Sequence, residues 1–116
     1  MATETVRRFT PQELEEIGRR FEDKRPEAVL EWALKTFGDK IALASSFGGA
    51  SGTVLLDMAV KIDPKVKVFY VDTDYLFPET YANVEDTKRR YGISPVGFKS
   101  KITPEEQAAK YGEALW

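Results

Sequence analysis

KIALASSFGGASGTVLLDM, residues Lys40–Met58, carries the local information on which the class of this fold turns. Lys40 to Ala44 reads as a short apolar strand. It runs into a Ser/Gly turn at Ser45, Ser46, Phe47, Gly48 and Gly49. Apolar positions then recur at helical spacing from about Gly52 to Ile62, with Val54, Leu55, Met58 and Ile62 expected on the buried face. A strand, a glycine-rich turn and a helix N-terminus in that order leave free N–H groups and the positive end of the helix dipole aimed at one spot. Such a turn suits a phosphate-bearing ligand, or it closes a tight strand-to-helix connection with glycine used only for packing.

On the C-terminal side, Asp63-Pro64 ends the helix, because the residue before proline is pushed out of the helical region. Val66 to Val71 is a near-continuous apolar run, the pattern of a strand covered on both faces of a parallel sheet. Asp72-Thr73-Asp74 follows, on the sheet edge that also carries the Ser/Gly turn. Phe77-Pro78-Glu79 opens a helix bearing Tyr81, Val84 and Tyr91, which Gly92 stops. Ile93 to Phe98 is a third strand, and Pro95 within it suits a sheet edge. Thr103-Pro104-Glu105-Glu106 starts a last helix that runs to about Tyr111.

On the N-terminal side, Met1 to Phe9 reads as a loose arm. Thr10-Pro11-Gln12-Glu13 starts a helix with Leu14, Ile17 and Phe21 on one stripe. Arg25-Pro26-Glu27 starts another, with Val29, Trp32, Ala33 and Phe37 on one face and Gly38 as its stop. Trp32 lies among apolar neighbours and is expected in the core. The order is αα-βαβαβα: a helical segment over residues 1–38 and a sheet core over residues 39–116, forming one domain. Three parallel strands in the order 3-2-1 would leave strand one as an open apolar edge, which predicts self-association into a homo-oligomer and an incomplete sheet.

Composition narrows the chemistry. The chain has 116 residues, 42% hydrophobic and 31% charged, with a net charge of −2. Lys and Arg are scattered, so nucleic-acid binding is not expected. No run approaches the roughly 18 apolar residues of a membrane-spanning helix, and the N-terminus has no signal-peptide core. A cytoplasmic protein is expected. There is no cysteine and no histidine. Chemistry by this chain is therefore restricted to carboxylates, Lys, Tyr, hydroxyls and backbone amides, and no thiolate nucleophile or iron–sulfur ligand is present. Neither G-x-x-x-x-G-K-[ST] nor G-x-G-x-x-G occurs. Asp72 and Thr73 could bond a ribose or adenine edge, Asp72 could hold Mg²⁺, or the pair could cap the next helix. Phe47 is expected to pack under the turn, and Lys88-Arg89-Arg90 to complement a helix C-terminus.

Four segments together resemble the assimilatory phosphoadenylyl-sulfate (PAPS) and adenylyl-sulfate (APS) reductases: Ser45-Ser46-Phe47-Gly48, Val54-Leu55-Leu56-Asp57, Val71-Asp72-Thr73-Asp74-Tyr75-Leu76-Phe77-Pro78-Glu79-Thr80-Tyr81 and Tyr111-Gly112-Glu113-Ala114-Leu115-Trp116. The likeness covers the chain from about Ala28 onward. It implies an adenine nucleotide α-hydrolase-like, Rossmann-like α/β fold with a parallel sheet and flanking helices, here truncated. It implies reduction of activated sulfate to sulfite, with thioredoxin or glutaredoxin as electron donor. By position, the resemblance places Ser45, Ser46, Phe47, Gly48 and Gly49 around the phosphosulfate and Val71, Asp72 and Thr73 along the adenosine. It places no catalytic residue and no metal ligand in this chain. Many members carry an acidic pair soon after the turn glycine, where this chain has Ala50-Ser51-Gly52. The chain is expected to be an N-terminal part, because the later family segments are absent: the cysteine pairs that hold a [4Fe–4S] cluster in the APS branch, an Arg-rich loop and a C-terminal nucleophilic cysteine. The alternatives are a stand-alone nucleotide-binding module, or an adenylating enzyme of the ATP-pyrophosphatase type, whose S-G-G-x-D-S turn would need an Asp that is lacking here.

Overall fold

A computed structural model describes residues 8–113. In chain order the elements are α1 (Pro11–Phe21), α2 (Pro26–Phe37), a 3-10 turn (Gly38–Lys40), β1 (Ala42–Ala44), α3 (Ala50–Ile62), β2 (Lys67–Asp72), α4 (Pro78–Tyr91), β3 (Val96–Lys99) and α5 (Pro104–Tyr111). The start signals act as their chemistry dictates. Thr10 Oγ1 accepts the Glu13 N–H at 3.1 Å, and Thr103 and Glu106 form a reciprocal capping box. Gly92 closes α4 at φ 65°, the left-handed conformation that glycine takes without a Cβ penalty. Residues 1–7 of the expected arm and residues 114–116 of the Tyr111–Trp116 segment lie outside the described residues; the arm's last residue, Phe9, is not loose, its ring packing 5.9 Å from Trp32 and 6.1 Å from Phe37.

The three strands are parallel in the order β1-β2-β3, so β1 and β3 are edges, as the sequence predicts. The register pairs Leu43 with Val68, Ala44 with Phe69, Tyr70 with Gly97 and Asp72 with Lys99. Two successive right-handed crossovers in one direction put α3 and α4 on the same face of the sheet. The core forms there: Phe47, Leu56, Ala59, Val60, Val66, Val68, Val84 and Ile93, with Leu34 of α2 packed against it. The Tyr91 hydroxyl donates to Asp57 Oδ1 at 2.8 Å and ties α4 to α3.

Several local expectations are corrected. β1 is shorter, because Gly38–Lys40 is a 3-10 turn. α3 begins at Ala50, since Ala, Ser and Gly in the turn accept helical geometry once the Ser45 and Ser46 hydroxyls have anchored the chain before it. Its buried residues are Leu56, Ala59 and Val60, whereas Val54 and Leu55 are exposed and Met58 and Ile62 half-buried. Outside the polar Thr53, Asp57 and Lys61 stripe this helix is apolar over a broad surface, so periodicity does not say which part of that surface faces inward. Pro95 precedes β3 rather than lying inside it. Trp32 is half-buried, in a cluster with Phe9, Phe21 and Phe37 rather than in the main core.

The main correction concerns β2. Its side chains at Val68 and Asp72 are buried, but Val71 is 63% exposed on the opposite face. That face also carries exposed Val96 and Phe98, whose ring meets Phe69 edge-on at 5.9 Å, and the exposed alanines of β1. β2 is therefore covered on one face only. An apolar run signals a strand that can be covered on both sides, and it carries no information about what supplies the cover.

Candidate functional site

Ser45 lies directly after β1 and extends its pairing, donating its N–H to the Phe69 carbonyl at 3.0 Å. The turn then holds itself in shape. Ser45 Oγ accepts the Phe47 N–H at 3.2 Å and Ser46 Oγ accepts the Gly48 N–H at 3.3 Å. Phe47 adopts φ 55°, unusual for a bulky residue, and is fixed from both ends. Its carbonyl accepts from Asn83 Nδ2 at 2.7 Å, and its ring, 4% exposed, meets Tyr70 edge-on at 5.5 Å. Phe47 thus packs beneath the turn, as its apolar character predicts.

Beyond the turn, α3 starts with Gly49 as N-cap and no side chain capping it. The first N–H groups of this 13-residue helix therefore have no side-chain acceptor. A Cβ added at Gly49 would meet no atom within 4 Å, so packing within the chain does not demand glycine there. At Gly52 the situation differs: a Cβ would lie 3.3 Å from Ser45 Oγ, and glycine lets the helix approach the turn closely.

A cavity of about 630 Å³ opens beside the turn. Gly48, Gly49 and Val54 form one wall, and Phe77, Thr80 and Asn83 of the α4 end form the other. Val71, Asp72 and Thr73 do not line it. They sit at the end of β2, on the same carboxyl edge as the turn. Val71 faces the open side of the sheet and Thr73 is exposed.

Asp72 is 7% exposed, and its carboxylate is engaged internally. Oδ1 accepts the Tyr81 hydroxyl at 2.6 Å and the Asp74 N–H at 2.9 Å, while Lys99 Nζ stands 3.8 Å from Oδ2. Lys99 Nζ also donates to Asp74 Oδ1 at 2.7 Å. The Tyr81 hydrogen bond, aided by the Asp74 amide and Lys99 and opposed by burial, holds the Asp72 carboxyl below its ordinary pKa. The same bond raises the Tyr81 phenol, and the bond to Asp74 raises the Lys99 ammonium. Among the described residues no group of three or more carboxylates could hold a metal ion.

Sequence reasoning left Asn83, Tyr81 and Lys99 out of the site. Tyr81 closes the stretch of residues 71–81 that carries the family likeness, but only the fold of α4 back over the end of β2 brings it to Asp72. Lys99 carries no local signal at all.

The profile of the phosphoadenosine phosphosulfate reductase domain matches residues 40–116. An adenosine 5'-phosphosulfate reductase of Halalkalibacterium halodurans is 42% identical over 104 residues, covering 89% of this chain and 45% of the relative. A phosphoadenosine 5'-phosphosulfate reductase of Gloeobacter violaceus is 41% identical over 105 residues, covering 88% of this chain and 42% of the relative. The crystal structure of a phosphoadenylyl-sulfate reductase from Candida auris, described as a phosphate complex, superposes with a TM-score of 0.80 at 29% identity. That superposition covers 97% of this chain and 55% of the other. The chain thus spans about half the length of the proteins it matches. Its parallel sheet with flanking helices is the adenine nucleotide α-hydrolase-like arrangement that the sequence predicts. A matching profile over the whole sheet core, joined to relatives above 40% identity, places the chain in the phosphoadenosine phosphosulfate reductase domain family.

Proposed function

We propose that this chain is the nucleotide-binding part of a sulfonucleotide reductase, an enzyme that reduces PAPS or APS to sulfite in sulfate assimilation in the cytoplasm. The observation that carries the reading is the start of α3: a 13-residue helix without a side-chain cap, entered from a self-braced Ser/Gly turn at the carboxyl edge of a parallel sheet. Helix N–H groups and dipole together favour an anion at that point. The phosphosulfate lies over Ser45, Ser46, Phe47, Gly48 and Gly49. Phe47 serves through its backbone, since its ring is buried. The adenosine runs along Val71, Asp72 and Thr73, with Asp72 shaping that wall from within rather than reaching the ligand.

In the reaction, a cysteine thiolate attacks the sulfur of the sulfonucleotide. The S–O bond to the nucleotide breaks, and AMP or adenosine 3',5'-bisphosphate leaves with the electron pair. A second thiol, from thioredoxin or glutaredoxin, attacks the cysteine sulfur of the resulting S-sulfonate and forms a disulfide as sulfite leaves. This chain has no cysteine, so it supplies binding and orientation and neither thiol. For the same reason its residues do not fit a [4Fe–4S] cluster, which thiolates hold. The exposed apolar face of the sheet around Val71, Val96 and Phe98 supports association with a second copy or with further chain.

Gly49→Asp tests the site. Open space surrounds the position and the backbone there is extended, with φ −142°, so an aspartate fits without strain. Its carboxylate caps α3, which over glycine stabilises the fold by roughly 0.3 kcal/mol. The same carboxylate occupies and repels from the anion position. The expected result is a thermal midpoint at or above wild type together with loss of AMP and APS binding in calorimetry. Unchanged binding, or no binding by the wild type, refutes the assignment.

A further inference from the structure

We propose that Lys99 is a positioning residue that sets the shape of the Asp72–Asp74 turn before any nucleotide arrives. The inference deepens the site described above and rests on the reading of that turn as the nucleoside wall. Its basis is the sheet register. Asp72 and Lys99 are Cα partners in the parallel β2–β3 pair, so their side chains leave the same face. Lys99 Nζ bridges two carboxylates, at 2.7 Å from Asp74 Oδ1 and 3.8 Å from Asp72 Oδ2.

Those carboxylates would otherwise repel each other across a turn whose other ties are hydrogen bonds to Asp72 and Thr73, none of which offsets the charge of Asp74. Asp74 takes φ 67°, a left-handed conformation that aspartate tolerates but does not prefer. Its N–H bonds to Asp72 Oδ1, and the Tyr75 N–H bonds to Thr73 Oγ1 at 3.2 Å. Tyr81 fixes Asp72 from the α4 side, and Lys99 is the cation that draws the Asp74 carboxylate toward the strand end. Without it, two anions two residues apart sit beside a site meant for an anionic ligand. The turn then relaxes outward and carries Thr73 with it. A lysine whose side chain is 58% exposed gives little to global stability, because solvent screens such a pair. Its effect is therefore expected on the site and not on the fold.

The experiment compares wild type with Lys99→Met, which keeps the aliphatic stem and removes the charge. AMP affinity is read by calorimetry, the Asp74 amide of the free protein by ¹⁵N NMR, and stability by thermal unfolding. The expected pattern is an AMP affinity about tenfold weaker, a displaced Asp74 amide and a thermal midpoint close to wild type. Retained affinity, lost affinity with the Asp74 amide unmoved, or an affinity loss matched by a collapse in thermal midpoint each overturns the proposal. Wild type that fails to bind AMP overturns the nucleotide-site reading as well. Wild type that binds, with Lys99→Met unaffected, overturns the role of Lys99 alone.

Discussion

Gly97→Ala adds one methyl group to β3, and the structure says where it goes. Gly97 is the Cα partner of Tyr70, and the phenol ring lies across it. A Cβ would stand 2.7 Å from Tyr70 Cζ, 2.8 Å from its hydroxyl oxygen and 3.1 Å from Cε2. The ring has to move, and its other side is not free: Phe47 meets it edge-on at 5.5 Å and is itself buried under the Ser/Gly turn. Overpacking of this kind costs roughly 1–3 kcal/mol. Replacing a strand glycine returns about 0.5–1 kcal/mol through the unfolded chain. A net loss of about 1–2 kcal/mol remains. For a domain of this size that lowers the thermal midpoint by about 5–10 °C.

Circular dichroism melts and urea unfolding measure the loss, and a double-mutant cycle with Tyr70→Leu tests its cause. Leucine removes the ring atoms that the new methyl would strike, so the cost of Gly97→Ala should vanish in that background. The Phe47 amide should shift in the single variant, because displacement of Tyr70 reaches the turn. A Gly97→Ala protein that melts at or above the wild-type midpoint refutes the reasoning. So does an equal cost in both backgrounds.

Two further outcomes follow from the same structure. Leu56→Ala empties a site that is 1% exposed between α3 and the sheet, and should cost about 2–5 kcal/mol by urea unfolding, enough to leave much of a small domain unfolded. Tyr81→Phe removes the principal hydrogen bond that lowers the Asp72 pKa, so the carboxyl should titrate closer to its ordinary value of 3.8 in a ¹³C NMR titration. The sign is fixed: a carboxyl depressed in the folded state contributes stability above its unfolded pKa and loses it as pH falls through the folded one. Tyr81→Phe should therefore shrink the acid-induced loss, and an unmoved Asp72 titration would show that another group holds it.

Much of this protein is written in short-range chemistry. The Thr-Pro starts at Thr10 and Thr103, the proline entries at Pro26 and Pro78, and the stop at Gly92 all act within four residues. Each was legible because its hydrogen-bond partners lie next to it in the chain. The Ser/Gly turn belongs to the same class, since its serines bond the amides two residues ahead. The strand order was legible only as the one that the first half of a doubly wound sheet would adopt, and the structure has that order. Asp72 was legible as a residue at the carboxyl edge, but its commitment to Tyr81 and Lys99 was not.

What the sequence by itself determined is thus the set of elements, the turn that opens α3, and the family. The tertiary structure alone decided which stripe of α3 is buried, that β2 is covered on one face only, that Tyr70 lies over Gly97, and that Lys99 stands against Asp72 and Asp74. The physical reason is the same in each case. Those outcomes depend on register and on which surfaces meet, and partners 25 or more residues apart leave no mark in local composition.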